Sequence, residues 1–148
     1  RDFCLSRGLG DVYKRQGLLS HVHTLKPNRI EAELLSGVKI TDNATLHQAA
    51  QALLDQGVQR VFLSLGGDGV FAVQQGETHL EPICKAEMRN ATGAGDAMMA
   101  SLVWSFLAGR DLAESCAAGT AAAAIAVESE ETINPNMSAE AVLARAAK

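Results

Sequence analysis

Apolar positions between residues 17 and 148 follow two periods. Leu46, Ala49, Ala50, Leu53 and Leu54 recur at three- and four-residue spacing, which predicts an amphipathic helix from Ala44 to Gln56, opened by Thr41-Asp42-Asn43 and stopped at Gly57. Val61-Phe62-Leu63-Ser64-Leu65 is instead a nearly continuous apolar run of strand length, the pattern of a parallel strand buried on both faces. Val22 to Leu25 reads as a shorter strand. It ends at Lys26-Pro27-Asn28, because Pro27 has no N–H for a sheet ladder. Asn28 sits three before Glu31, the spacing of a capping box, and predicts a helix from Arg29 to Ser36 with Gly37 at its end. From the spacing alone, this pair need do no more than cap that helix. Strand, helix, helix and strand in this order imply an α/β architecture.

Beyond this run, Gly66-Gly67-Asp68-Gly69 predicts a tight turn, followed by strands at Val70–Val73 and Thr78–Ile83 around a second turn at Gln75-Gly76-Glu77. Pro82 inside the second strand favours a sheet edge, so the pair reads as an antiparallel meander there. A strand-like segment then leads into Asn90-Ala91-Thr92-Gly93-Ala94-Gly95-Asp96, and an apolar helix pattern from Ala97 to Leu107 leads out, closed by Gly109. Asp111 and Glu114 form another N-cap and N3 pair, opening a helix from Leu112 to about Val127. Its small residues, Ala117, Ala118, Gly119 and Ala121 to Ala124, permit close approach of the preceding helix or of a ligand. Glu128 to Asn136 is a polar loop, and Ser138 caps a last helix, Ala139 to Ala147. Arg1 to Gln16 carries neither period nor a signal-peptide pattern and reads as a non-native or disordered leader, set apart from the domain at 17–148.

Composition excludes several classes of function. At 148 residues the chain has the length of one domain, and 47% apolar residues suffice for a core. A formal net charge of −4 argues against nucleic acid or an anionic membrane as the main partner. Four Phe, one Tyr and one Trp are too few for a base-stacking platform. Three widely spaced cysteines, Cys4, Cys84 and Cys116, show no metal-binding spacing. They suggest a reducing, cytoplasmic setting, with Cys84 and Cys116 as buried small hydrophobes. No apolar run reaches the length of a membrane span.

The chemistry gathers at Asn90 to Asp96. A Gly-rich turn opening a helix presents unpaired backbone N–H groups at the positive end of the helix dipole, which suits a phosphate. The same dipole favours a carboxylate at Asp96. Phosphate-holding amides beside a carboxylate that can take a hydroxyl proton are what a phosphoryl transferase needs. Other phosphate motifs fail: there is no GxxxxGK[ST], and after Gly93-Ala94-Gly95 the third glycine of a dinucleotide fingerprint falls on Met98. Ser64 and Cys84 lack a nucleophile's His and Asp partners, and the four His are placed for strand ends or surface. For Gly66 to Gly69 three readings stay open. These are a plain turn, a backbone wall for a nucleotide, and the loop of kinases resembling NAD and diacylglycerol kinases, which leads into a helix.

Taken in order, Lys26-Pro27-Asn28 with Glu31, Val61 to Gly69, Thr92-Gly93-Ala94-Gly95-Asp96 and the Ala-rich helix resemble the C-terminal half of a ribokinase-like, PfkB-family carbohydrate kinase. The resemblance spans Gly17 to about Asn136. It implies a three-layer, Rossmann-like α/β fold truncated at the N-terminal half, lacking the family's Gly-Gly sugar motif and β-sheet lid. Leu25 to Glu33 and Asn90 to Met99 are most similar to pseudouridine kinases. The implied activity is therefore ATP-dependent transfer to a nucleoside or sugar hydroxyl, with a ribokinase- or fructokinase-like substrate as the alternative. The implied base is Asp96, and the implied anion hole is the N–H groups of Gly93, Ala94 and Gly95. Asn28 and Glu31 would help hold Mg²⁺ through water. Ser64, Gly66, Gly69 and Thr92 would line the ATP site, and Thr120 would lie near the adenine. Two positions depart from the pattern. Asn90 replaces an Asp that in many relatives helps hold a monovalent cation, which leaves K⁺ open, and Thr120 replaces an Asn. The implied partner is a small-molecule substrate, with a homodimer open for a full-length parent. From a different class, the chain would be a nucleotide-binding module that turns nothing over alone.

Overall fold

A computed structural model describes residues 4–5 and 16–148. Its residues form two compact units. The first runs through Gly66 and resumes at Phe71–Leu80; the second comprises Gly67–Val70 and Glu81–Lys148.

The strands, in the first unit but for the end residues Val70 and Glu81, are β1 (Cys4–Leu5), β2 (Thr24–Leu25), β3 (Arg60–Ser64), β4 (Val70–Gln74) and β5 (Glu77–Glu81), lying in that order across one sheet. β1 pairs parallel to β2, and β2 parallel to β3 with Thr24 opposite Arg60 and Leu25 opposite Val61. The connections into β4 and β5 are too short for a crossover, so these strands return antiparallel. The sheet is thus mixed, a parallel part with a meander at one edge, as the sequence predicts. Helices α1 (Arg29–Ser36) and α2 (Asn43–Asp55) intervene between β2 and β3. Asn28 and Asp42 cap them through reciprocal side-chain and backbone bonds. Val61, Phe62 and Leu63 are buried in succession, the mark of a strand covered on both faces. The core joins Leu25, Leu35, Leu53, Val61, Leu63 and Phe71.

The second unit is helical: α3 (Ala94–Leu107), α4 (Leu112–Val127) and α5 (Ala139–Ala146). Asp111 and Glu114 close a full capping box on α4, and Ser138 caps α5. The small residues of α4 serve its packing on α3. A Cβ added at Gly119 would stand 3.2 Å from Leu102 Cδ2 and 3.3 Å from Met98 Cγ. α5 docks through Val142 beside Ala122 and Ile125, and through Arg145, whose guanidinium forms paired bonds of 2.8 and 2.9 Å to the Glu128 carboxylate.

Several expectations need correction. β2 covers only Thr24–Leu25 of the predicted strand. β5 ends at Glu81, so Pro82 lies outside the strand, where its missing N–H costs no ladder bond. No strand leads into Asn90; residues 82–90 have no regular secondary structure and are docked where the N–H groups of Arg89 and Asn90 donate to the Val127 carbonyl at 2.7 and 3.1 Å. That carbonyl ends α4 and would otherwise lack a partner. Cys116 is buried as expected, and burial pushes its thiol up to about 12, whereas Cys84 is only half-buried. The leader expected at 1–16 lies mostly outside the described residues; of its span, Cys4–Leu5 form β1 and Gln16 opens a short 3-10 helix. Among the described residues no helix is long and apolar enough to cross a membrane.

Candidate active site

In the first unit, four predicted residues gather at the carboxyl ends of β2 and β3, where parallel α/β sheets bind ligands. Asn28 bridges to Ser64 in parallel register, and the Ser64 N–H donates to the Pro27 carbonyl at 2.9 Å. The Ser64 hydroxyl reaches the same carbonyl at 3.4 Å. The Glu31 N–H donates to Asn28 Oδ1 and the Asn28 N–H to Glu31 Oε2, both at 2.9 Å. Gly66, two residues past Ser64, turns with φ of +60°. Gly66–Asp68 forms one 3-10 turn, and strand β4 follows. That removes the reading in which this loop enters a helix.

In the second unit, Gly69 has φ of +96°, and its Cα lies so close to the Glu81 carbonyl oxygen that a Cβ could not fit. The phosphate-type turn sits at the start of α3. Gly93 is its N-cap with φ of +89°, so Ala94, Gly95 and Asp96 form the first turn, and Asp96 is exposed. Helices α1, α2, α4 and α5 each have a side-chain oxygen on the N3 amide; α3 has no side-chain cap. Its first-turn N–H groups and the dipole behind them therefore point toward whatever anion arrives. Asn90 holds the approach: its Oδ1 accepts from the Thr92 N–H at 2.9 Å, and its Nδ2 donates to the Glu130 carbonyl at 3.1 Å. A Cβ on Gly93 would lie 2.9 Å from the Thr132 carbonyl oxygen. Thr120 is buried inside α4, its hydroxyl donating to the Ala117 carbonyl at 3.0 Å with Cys84 Sγ 3.9 Å away.

The sequence of such a turn on such a helix is matched by a profile of the pfkB family carbohydrate kinase over residues 10–139. The chain belongs to the pfkB family of carbohydrate kinases. This pfkB-family chain is 40% identical over 121 residues to the pseudouridine kinase of Escherichia coli (strain K12), covering 81% of this chain and 39% of that protein. It is 34% identical over 110 residues to the ribokinase of Haemophilus influenzae (strain ATCC 51907 / DSM 11121 / KW20 / Rd), covering 74% and 36%. Its fold is ribokinase-like. It matches Arabidopsis thaliana ribokinase complexed with ribose and ATP at a TM-score of 0.86 and 26% identity, covering 98% of this chain and 47% of that one. The chain spans less than half the length of these relatives.

The residues expected to hold Mg²⁺ suit an indirect role. Among the described residues no three or more His, Cys, Asp or Glu side chains are grouped to hold a metal. The capping box engages Glu31 Oε2 and Asn28 Oδ1 but not Glu31 Oε1. One carboxylate oxygen beside a helix start fits Mg²⁺ that keeps its waters and takes its other ligands from phosphates.

The pfkB-type stretch contains one feature that sequence reasoning missed, the bond from Asn90 to the loop after α4. An Asn two residues before Thr92 signals a local turn. The other partner, Glu130, is forty residues away and leaves no mark in the local pattern.

Proposed function

We propose that this chain provides the ATP-binding and phosphoryl-transfer part of a sugar or nucleoside kinase that converts pseudouridine to its 5′-phosphate in the cytoplasm. The observation that carries this reading is the α3 N-terminus, whose N-cap residue Gly93 has no side chain to cap it, with Asp96 in its first turn. Asp96 takes the proton from the acceptor's primary hydroxyl. The hydroxyl oxygen then forms its bond to the γ-phosphorus as the bond to the β,γ-bridging oxygen breaks, and ADP leaves with that electron pair. The N–H groups of Gly93, Ala94 and Gly95 stabilise the charge spread over the transferring group. Ser64, Gly66, Gly69 and Thr92 line the nucleotide, with Thr120 toward its adenine. Asn28 and Glu31 would hold Mg²⁺ through water, and the ion would supply neutralisation of phosphate charge there. Identity to a pseudouridine kinase favours that acceptor; the ribokinase relative supports ribose as the alternative.

Titration with ATP and Mg²⁺, followed by phosphorylation assays on pseudouridine and ribose, tests the reading with the chain and its Asp96→Asn variant. Loss of the carboxylate should lower turnover by roughly 10²–10⁴ while leaving ATP bound. Turnover that survives Asp96→Asn would overturn the role of Asp96. Binding without turnover by the parent chain supports a nucleotide-binding module that needs further parts for the acceptor.

A further inference from the structure

The turn that opens α3 is held from both sides by one side chain. The Asn90 amide uses its two ends differently: Oδ1 accepts from the Thr92 N–H, while Nδ2 donates to the Glu130 carbonyl. The Asn90 backbone N–H, with that of Arg89, is docked on the last carbonyl of α4. The loop carrying Glu130 then continues to Thr132, whose carbonyl oxygen packs against the Gly93 Cα, where only a glycine fits. The start of α3, the end of α4 and the loop beyond α4 are thus tied together through residue 90.

We propose that Asn90 is a positioning residue for the anion hole, and that the arm to Glu130 fixes the direction of the Gly93 amide where the turn enters α3. This rests on the kinase reading for what the amides hold. The geometry of the tie does not depend on it. A local turn needs only the Oδ1 bond to Thr92. The Nδ2 bond contributes nothing to that turn; it stops the 130–132 loop from sliding along Gly93. The Ala94 N–H is aimed by the helix itself, because the Gly93 carbonyl of the same peptide accepts from the Ala97 N–H at 2.9 Å; the Gly93 N–H, one peptide earlier, has no such helical bond behind it and takes its direction from the turn. A neutral primary amide suits this place, since it accepts from one backbone group and donates to another. An Asp could accept from Thr92 but has no N–H for the Glu130 carbonyl unless a cation stands between them, so the variants are read in buffer free of K⁺ and Na⁺. A Ser could also keep the Thr92 bond but is too short to span to Glu130.

Two variants of the full 148-residue chain, Asn90→Asp and Asn90→Ser, therefore keep the local arm and lose the distant one. Amide hydrogen exchange and the backbone amide NMR shifts of Gly93 and Gly95 are read with and without ATP and Mg²⁺. Both variants should speed exchange about tenfold, together, at residues 92–95 and at 130–132, with the interiors of α3 and α4 unchanged. Both should weaken ATP binding by about the same factor. Exchange that stays at parent rates at 130–132 would overturn the proposal, as would parent-like ATP affinity in both variants. If Asn90→Asp fails to fold, Asn90→Ser, which adds no charge, decides by the same readings. A parent chain that binds no ATP would sink the kinase reading instead, and the exchange rates alone would then decide whether the tie exists.

Discussion

At the scale of single residues, glycines hold the geometry of the candidate site. Gly93 combines a left-handed backbone with a carbonyl oxygen 2.9 Å from where a Cβ would stand. Ala at this position meets both penalties, since the left-handed region costs an L-residue about 1–2 kcal/mol before any clash. Gly93→Ala is expected to lower the urea midpoint of the second unit and to weaken ATP binding, measured by equilibrium unfolding and titration. Gly66 differs: its φ of +60° also favours glycine, but nothing stands within 4 Å of a Cβ there, so its role is the turn and not close approach. Residue identity was therefore a good guide to the glycine turn that opens α3. It could not separate a glycine kept for its backbone angle from one kept for space.

At the scale of elements, the α3–α4 pair works because α4 is nearly all small. Met98 and Leu102 of α3 lie across Gly119. A β-branched side chain there must displace both, and overpacking of this kind costs about 1–3 kcal/mol. Gly119→Val should therefore lower stability by that amount in urea unfolding, without touching the first-turn amides directly. The junction of α4 with α5 depends on pH. The hydrogen bond from Arg145 holds the Glu128 carboxyl below the usual carboxylate range. A group whose folded-state value is depressed contributes its stability above the ordinary carboxylate value, and that stability is lost as the pH falls through the lowered one. Glu128→Gln should accordingly be less stable than the parent near neutral pH. The gap should close as pH falls below about 4.5, followed by thermal melts across an acid series. Elements were the most legible level of the sequence. The capping boxes at Asn28/Glu31 and Asp111/Glu114 marked their helices to the residue, because a cap is a local hydrogen-bond problem solved by neighbours.

At the scale of the whole molecule, apolar groups remain in water. Ile30 and Leu34, one turn apart on α1, are 69% and 63% exposed, and Leu107 and Ile133 more so. Such side chains favour association when they are near one another. The chain should therefore self-associate as its concentration rises in sedimentation velocity runs, and Ile30→Glu with Leu34→Glu should reduce this if the α1 face is the contact. Unchanged association in the double variant would assign the contact elsewhere.

The sequence by itself determined the α/β class, the helices with their caps, the buried run of β3 and the turn from Asn90 to Asp96. Each of these depends on residues within a few positions of one another, through period, cap chemistry or glycine backbone freedom. It misplaced the ends of β2 and β5 and supplied a strand before Asn90, because a ladder needs a partner and local pattern cannot say whether one is present. Only the tertiary structure decided that Asn28 pairs with Ser64, that Gly69 yields its Cβ space to the Glu81 carbonyl, and that Asn90 reaches Glu130. Those contacts join residues twelve to forty positions apart, so their energies appear only when the folded chain brings the two partners together.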